Sequence, residues 1–266
     1  MTARRPAGSL AFVGTGIQTA AHVTPEARSH IEAAGKLLHL VADPVTEAWL
    51  LELNATAESL QRFYEGDKDR RITYGEIVEE ILRWVRRGLD VCVATYGHPG
   101  VFVHPSHEAI ARARAEGYPA RMLPGISAED CLFADLGLNP GAQGCQSFEA
   151  TYFLVCRPAF DPTALLVLWQ IEALGRLDND FSGIGPAVCL LGSTLTAIYA
   201  PAHEVTFYAA ALYPGTQPVV TRVPLSDLAA VSIPSDATLV LPPLPRRTPD
   251  PVMIERLGLG DLAPTP

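Results

Sequence analysis

The sequence predicts an α/β fold with two lobes, and three observations lead to that prediction. In the first half, short apolar runs that stop at glycine alternate with segments of helical periodicity, which favours a mostly parallel sheet. In the second half, three apolar strand candidates surround one apolar helix candidate, and we expect a mixed sheet there. The 266 residues are 48% hydrophobic and 18% charged, which is enough apolar material for a large core.

Each element of the first lobe has a local signal. Residues 9–16, SLAFVGTG, are typical of a buried parallel strand that enters a turn. Thr24 and Pro25 predict a helix start, with threonine as the N-cap and proline at the first helical position. We also expect strands at 36–43, 91–96 and in ARMLPGIS (120–127), and helices at 44–64, 73–87, 105–117 and 127–137. For the helix at 44–64, an interruption at Asn54 is the alternative.

The second lobe and the tail complete the predicted architecture. We expect strands at 164–171, 204–212 and 237–244, a helix at 186–199 and a short amphipathic stretch at 252–260. The lobes should join near Pro124 and Gly125. The predicted division is therefore 1–124 for the first lobe, 125–243 for the second and 244–266 for a proline-bounded tail.

The composition excludes several classes of partner. A net charge of -9 argues against a nucleic-acid or anionic-membrane partner, because binding phosphates needs a basic face. No apolar run is long enough for a membrane span and no signal peptide is apparent, so we expect a cytoplasmic protein. The five cysteines and seven histidines form no metal-ligand spacing, so we expect reduced, mostly buried thiols and no metal.

Three glycine-containing turns carry the first functional signals. YGHPGVF (96–102) follows an apolar strand and combines an aromatic, a histidine and two glycines, a set that a merely structural turn does not need. GTGIQTAA (14–21) has two glycines but lacks the third of GxGxxG, so by itself it is a weak nucleotide-binding signal, and the alternative is a tight strand-to-loop turn. In PGISA (124–128), Ser127 alone is best explained as a helix N-cap. Gln170, which follows the predicted strand LLVLW, is either an amide that binds the edge of a ligand such as adenine or an ordinary loop residue.

Residues 63–74, FYEGDKDRRITY, are an unusually rich connection between two predicted helices. Tyr64, Arg70 and Tyr74 offer two phenols and a guanidinium where a loop needs only turn residues. Taken alone, the tyrosines are explained by packing at helix ends and the arginines by solvation. The residues of this loop by themselves therefore do not identify a catalytic role.

The order of the motifs along the chain indicates a family. VGTG, YGHPGVF, PGISAEDCLFADLG, CQSFEAT, VLWQI and FYAAALYP together resemble the tetrapyrrole methylase superfamily, and more closely the borosin-type peptide backbone α-N-methyltransferases. The resemblance runs from Ser9 to about Pro243. It implies two α/β lobes with S-adenosylmethionine in the cleft between them, S-adenosylhomocysteine as product, and an intertwined homodimer. It also implies that Tyr64, Arg70, Tyr74 and the active-site tyrosine Tyr96 are catalytic.

The resemblance also implies roles for the cofactor-binding positions. Tyr96, His98, Val101 and Phe102 should line the methionine and ribose side, followed by Ser127 and Ala128, with Gln170, Tyr208 and Thr238 around the adenine. One position departs from the pattern, because Gln61 stands where some relatives carry another tyrosine.

The short tail, poor in β-branched residues, resembles the end of the bacterial split enzymes, so we expect a separately encoded precursor peptide as substrate. The alternatives are a tetrapyrrole C-methyltransferase of corrin or siroheme biosynthesis, an RNA ribose methylase, which the charge disfavours, and a catalytically silent peptide-binding partner. The loop that carries Tyr64, Arg70 and Tyr74 counts against the first, because carbon methylation of an electron-rich ring needs no amide activation.

Overall fold

A computed structural model of the protein describes residues 7–41 and 43–260. These residues form two five-stranded sheets with helices packed against them. Ala42 of the predicted second strand, residues 1–6 of the predicted first lobe and residues 261–266 of the predicted tail lie outside the described residues.

The first sheet is entirely parallel. Its strands are β1 (Ser9–Gly14), β2 (Lys36–Leu40), β3 (Glu58–Ser59), β4 (Asp90–Thr95) and β5 (Ala120–Met122). They lie in the order β3-β2-β4-β1-β5. The helices between and after them are α1 (Pro25–Ala33), α2 (Pro44–Leu53), α3 (Arg70–Arg86), α4 (His104–Ala115) and α5 (Ala128–Leu136). The strands β1 and β4 are almost fully buried, which explains why both are continuous apolar runs.

The second sheet is mixed, as predicted. Its strands are β6 (Cys145–Glu149), β7 (Leu165–Trp169), β8 (Glu204–Ala209), β9 (Val219–Pro224) and β10 (Thr238–Leu241). In the order β6-β7-β10-β8-β9, only the β6–β7 pair is parallel. The helices of this half are α6 (Ala150–Cys156), α7 (Gly185–Thr196) and the C-terminal α8 (Pro251–Arg256). The predicted domain boundaries stay predictions.

Several expectations about elements were wrong. The helix predicted over 44–64 ends at Leu53, because Asn54 has an extended backbone and donates its side-chain amide to the carbonyls of Ile31 and Ala34 at 2.8 and 2.9 Å. Helix α3 begins at Arg70 and not at Thr73. The side chain of Asp69 caps it by accepting from the backbone N–H of Arg71 at 2.8 Å.

Other features had no clear local signal. Strands β6 and β9 and helix α6 were not predicted, since the strand residues are half-buried or exposed and the short helix buries only Ala150 and Phe153. The thiols are free, but only Cys92 is buried while Cys156 and Cys189 are exposed, so the expectation of mostly buried thiols was wrong. Within the described residues, no helix is long and apolar enough to cross a membrane, and no three metal-ligating side chains come together.

Candidate active site

The three glycine turns singled out in the sequence meet at one edge of the first sheet. Gly14 ends strand β1, and Gly97 and Gly125 follow the neighbouring strands β4 and β5. A Cβ on Gly14 would lie 2.3 Å from the carbonyl oxygen of Gly97, and one on Gly125 would lie 3.1 Å from the Cα of Gly14. Gly97 and Gly16 also exchange backbone hydrogen bonds of 2.9 and 3.3 Å. Glycine is needed here because the backbones touch.

A cavity of about 370 Å³ lies beside these turns and is lined by residues of both lobes. This volume suits a small-molecule ligand. The predicted site residues that line it are Tyr64, Tyr74, Tyr96, Val101, Phe102, Ala128, Gln170, Tyr208 and Thr238. Gln61 lines it as well. Across the cavity, the ring of Phe102 is 5.7 Å from that of Trp169 on β7, so the lobes contact each other there.

The cavity contains unusual backbone conformations. Phe102, Gln170 and Asp236 have φ of 56, 58 and 57°, in the left-handed region that favours glycine. They are three of the five non-glycine residues with positive φ in the described part of the chain, the other two being Ala20 and Arg157. Strained backbone of this kind concentrates at functional sites, so its clustering supports a binding role for the cavity.

Tyr64, from the loop before α3, and Tyr74, from the second turn of α3, lie side by side at the cavity. The rings of Tyr64 and Tyr74 are 6.5 Å apart in an edge-to-face arrangement, and the ring of His104 is 5.8 Å from Tyr74. Burial raises the pKa of Tyr64, and Arg70 opposes part of that rise. Burial and the carboxylate of Asp236 raise the pKa of Tyr96. Tyr64 and Tyr96 are therefore protonated hydrogen-bond donors at neutral pH.

Arg70 is not among the residues that line the cavity. Its guanidinium donates to the backbone carbonyl of Arg176 at 2.6 Å. Arg176 belongs to residues 174–183, which we call the clasp segment. The backbone N–H of Asn179 in this segment also donates to the carbonyl of Gly66 at 3.1 Å. The clasp segment of the second lobe thus holds the 63–74 loop of the first.

Two predicted cofactor residues make local contacts instead of lining the cavity. The Nδ1 atom of His98 accepts from the backbone N–H of Gly100 at 2.9 Å, inside its own turn. Ser127 forms a capping box with Asp130, in which the backbone N–H of Ser127 donates to the Asp130 carboxylate at 2.7 Å. These contacts agree with the turn and capping explanations, and the cofactor roles stay predictions.

Sequence reasoning missed the charge of the cavity. Three carboxylates line it, those of Asp43, Glu172 and Asp236, and none of the described lining residues is a lysine, arginine or histidine. Thr95 also lines the cavity, and its buried hydroxyl accepts or donates no hydrogen bond within the described structure. Asp43 could have been found from its place before Pro44 at a helix start. No local signal marks Asp236.

Of the three carboxylates, Asp43 accepts the most hydrogen bonds within the described structure. It accepts from the backbone N–H of Thr46 at 2.6 Å and from the hydroxyls of Thr46 at 2.5 Å and Tyr213. Burial alone would raise the pKa of Asp43, but these hydrogen bonds lower it to about 2. Because Tyr213 lies in the second lobe, this carboxylate also joins the two lobes.

Comparisons with known proteins agree with this architecture. The sequence profile of the Tetrapyrrole (Corrin/Porphyrin) Methylases matches residues 9–229. The methyltransferase/ribosomally synthesized cyclic peptide precursor of the gymnopeptides from Gymnopus fusipes is 42% identical, covering 96% of this chain and 62% of that protein. The corresponding precursor of omphalotin A from Omphalotus olearius is 42% identical, covering 95% and 62%. The chain thus spans about three fifths of these curated relatives.

Solved structures give the same fold. Uroporphyrin-III-C-methyltransferase from Thermus thermophilus superposes with a TM-score of 0.62 at 22% identity, covering 88% of this chain and 94% of that one. Its complex with S-adenosyl homocysteine gives a TM-score of 0.59 at 20% identity, covering 88% and 92%. At these identities the likeness establishes the fold alone.

Proposed function

The chain belongs to the tetrapyrrole (corrin/porphyrin) methylases, a family of S-adenosylmethionine-dependent methyltransferases, and we propose that it α-N-methylates backbone amides of a peptide. The observation that carries the proposal is the pair of phenols at the cavity. Tyr64 and Tyr74 line it with their ring centroids 6.5 Å apart, and Arg70, the first residue of α3, lies between them in the sequence and donates to the backbone carbonyl of Arg176. A peptide substrate offers that same acceptor group.

The residues present fit the cofactor. S-adenosylmethionine carries a sulfonium, an ammonium and one carboxylate and is therefore a net cation, and the cavity offers three carboxylates and no basic side chain among its described lining residues. Gln170 can pair with the edge of an adenine, and the unpaired hydroxyl of Thr95 can bond a further polar group. When bound, the cofactor supplies an electrophilic methyl group on sulfur.

The acceptor needs activation. An amide nitrogen is a poor nucleophile because its lone pair is delocalised into the carbonyl. Arg70 would donate hydrogen bonds to the substrate carbonyl and stabilise the imidate-like oxygen. Tyr74 is our first choice for the base that takes the amide proton, with Tyr64 holding the amide. Burial raises the pKa of Tyr64 even though the charge of Arg70 opposes the rise, so Tyr64 stays protonated and can hold the amide by donating a hydrogen bond.

The charge of the cavity favours a peptide over a tetrapyrrole. Tetrapyrroles of the uroporphyrin type carry several carboxylates, and a cavity with three carboxylates would repel them. A neutral peptide backbone meets no such repulsion. The catalytically silent alternative differs from our proposal only in turnover, and the experiment below therefore measures transfer and cofactor binding together.

We further propose a separately encoded substrate and a homodimer. The printed names of the relatives describe methyltransferase and precursor together, so a peptide covalently joined to this chain is the competing arrangement. A peptide offered in trans to the purified chain separates the two arrangements. Sedimentation at micromolar concentration should give twice the 28.5 kDa mass of the chain, and a stable monomer would contradict the dimer.

The test is tandem mass spectrometry on a short peptide encoded beside this gene and co-expressed with the protein. We expect successive methyl increments located on backbone nitrogens. If the protein still binds S-adenosylmethionine but the peptide gains no methyl groups, the tetrapyrrole methyltransferase alternative would be favoured. Porphyrinoid substrates would then be assayed.

A further inference from the structure

The carboxylates of Glu172 and Asp236 lie together on the second-lobe wall of the cavity. The backbone N–H of Asp236 donates to Oε2 of Glu172 at 2.9 Å. Glu172 is half-buried and Asp236 is exposed at the rim. No lysine, arginine or histidine forms an ion pair with either carboxylate in the described part of the chain.

This arrangement is unfavourable in the absence of a ligand. Burial raises the pKa of Glu172, and the neighbouring charge of Asp236 and a hydrogen bond between the two side chains raise it further, against the lowering effect of the Asp236 backbone N–H. The left-handed backbone of Asp236 adds strain. Asp43 differs, because hydroxyls and backbone N–H groups already satisfy its charge. A cation bound near Glu172 and Asp236 would relieve the repulsion.

A second observation points to a ligand at the same place. Thr95 is 1% exposed, lines the same cavity, and has a hydroxyl without a partner in the described structure. A buried hydroxyl of this kind costs free energy unless a ligand or water satisfies it. The next residue, Tyr96, experiences the charge of Asp236, which raises its pKa after the larger effect of burial. The Asp236 carboxylate therefore lies within electrostatic range of the predicted active-site tyrosine.

We infer that the Glu172–Asp236 pair makes the cofactor site selective for charge, favouring the cationic S-adenosylmethionine over its product. The inference rests on the proposed function. Methyl transfer breaks the bond from sulfur to the methyl carbon and forms a bond from nitrogen to that carbon. The amide proton leaves to the base, and the bonding electrons return to sulfur. The sulfonium thus becomes a neutral thioether, and its attraction to the two carboxylates is lost.

The consequence is easier exchange of product for fresh cofactor. Two unit charges about 12 Å apart at an effective dielectric constant near 20 interact strongly enough to change a binding constant about tenfold. Screening at the exposed rim reduces the share of Asp236, so Glu172 should have the larger effect. An enzyme that methylates several amides in succession benefits from weak binding of its product after every transfer.

The test is calorimetric binding of three ligands to the full chain. The ligands are S-adenosylmethionine, S-adenosylhomocysteine, and sinefungin, in which an ammonium on carbon replaces the methylated sulfonium. The variants are Glu172→Gln, which keeps an acceptor for the Asp236 N–H, and Asp236→Asn, since asparagine tolerates left-handed backbone. Glu108→Gln removes one charge from an exposed position of α4 and is the matched control.

We expect Glu172→Gln to weaken S-adenosylmethionine and sinefungin about five- to tenfold while S-adenosylhomocysteine stays within about twofold. Asp236→Asn should act in the same direction with a smaller effect, and Glu108→Gln should change none of the three. Equal weakening of all three ligands by both variants would mean that the pair is only structural, and our inference would be wrong while the proposed function stands. Failure of the wild type to bind any of them would overturn the proposed function and this inference together.

Discussion

Two segments flagged in the sequence as catalytic are held in place in different ways. The turn at 96–102 is fixed inside the first lobe, by backbone hydrogen bonds between Gly97 and Gly16 and by close contact with Gly14. The loop at 63–74 depends on the clasp segment of the second lobe. Side chains of the turn lie in the cavity, whereas the guanidinium of Arg70 is turned to the clasp segment.

The difference teaches which part of the site is rigid. Touching backbones and buried strands leave the turn no alternative arrangement. The loop is held to the second lobe by a few hydrogen bonds, which contribute about 1 kcal/mol between neutral groups and about 1.5–3 kcal/mol where the Arg70 guanidinium donates. Under the proposed mechanism, Arg70 would exchange the carbonyl of Arg176 for the carbonyl of a peptide, and the cost should be small because one charged hydrogen bond replaces another.

The largest effect should come from Arg70→Ala. Removing a donor to the developing oxyanion should lower methyl transfer about 10²- to 10³-fold. Cofactor affinity should stay within about threefold, because the Arg70 guanidinium does not line the cavity. The measurements are methyl increments on a peptide substrate over time and calorimetric binding of S-adenosylmethionine.

The neighbouring Arg71→Ala is the matched control. The side chain of Arg71 is 80% exposed and pairs with Asp69, so its loss should leave transfer nearly unchanged. Wild-type turnover in the Arg70 variant, or equal loss in both variants, would remove Arg70 from the mechanism.

The turn at 96–102 should be destabilised by a larger side chain at the neighbouring Gly14. A methyl group on Gly14 would overlap the Gly97 carbonyl, so Gly14→Ala should lower the free energy of unfolding by about 2–3 kcal/mol and weaken cofactor binding. Gly75→Ala is the control, because open space surrounds this position in α3 and alanine should stabilise the helix by about 0.5–1 kcal/mol. Denaturant unfolding measures the change in the free energy of unfolding for both variants. A Gly14→Ala variant as stable as the wild type would contradict the tight backbone contact.

The same contrast explains what the sequence could predict. The parallel first sheet, the meeting of the glycine turns and the cap at Ser127 follow from local patterns, since each depends on neighbours in the chain or on adjacent strands. The partner of Arg70 and the carboxylate pair depend on contacts between residues more than 60 positions apart. Periodicity carries no information about such contacts. The resemblance identified Tyr64 and Tyr74, but not the conformation of the loop between them.

The contact between Tyr213 and Asp43 is another bond between the lobes, and Tyr213→Phe should lower the free energy of unfolding at neutral pH because the acceptor is charged. Asp43 has a folded pKa of about 2, below its usual value of 3.8. Its stabilising contribution is therefore complete above about pH 4 and is lost as the pH falls toward 2.

Denaturant unfolding of the wild type and the Tyr213 variant across this range measures the effect. The difference between them should shrink on acidification. Tyr118→Phe, a half-buried tyrosine of the first lobe, should cost little at any pH. A difference that is independent of pH would mean that the Tyr213 hydroxyl acts by packing and not through the Asp43 carboxylate.

The smallest effect should come from the clasp segment itself. The side-chain N–H of Asn179 donates to the carbonyl of Glu65 at 2.8 Å, while its carbonyl oxygen is buried without a partner in the described structure. Asn179→Ala removes one good bond and one unsatisfied acceptor together, so the net loss in the free energy of unfolding should be only about 0.5–1 kcal/mol.

The destabilisation by Asn179→Ala should be local. We expect faster hydrogen exchange in residues 64–70 and unchanged exchange in the turn at 96–102, because only the loop depends on the clasp segment. Asn139→Ala, which removes the acceptor of a separate turn, controls for the substitution. Equal acceleration in both segments would mean that the turn also depends on the second lobe, and the distinction between a rigid turn and an exchangeable arginine would then be wrong.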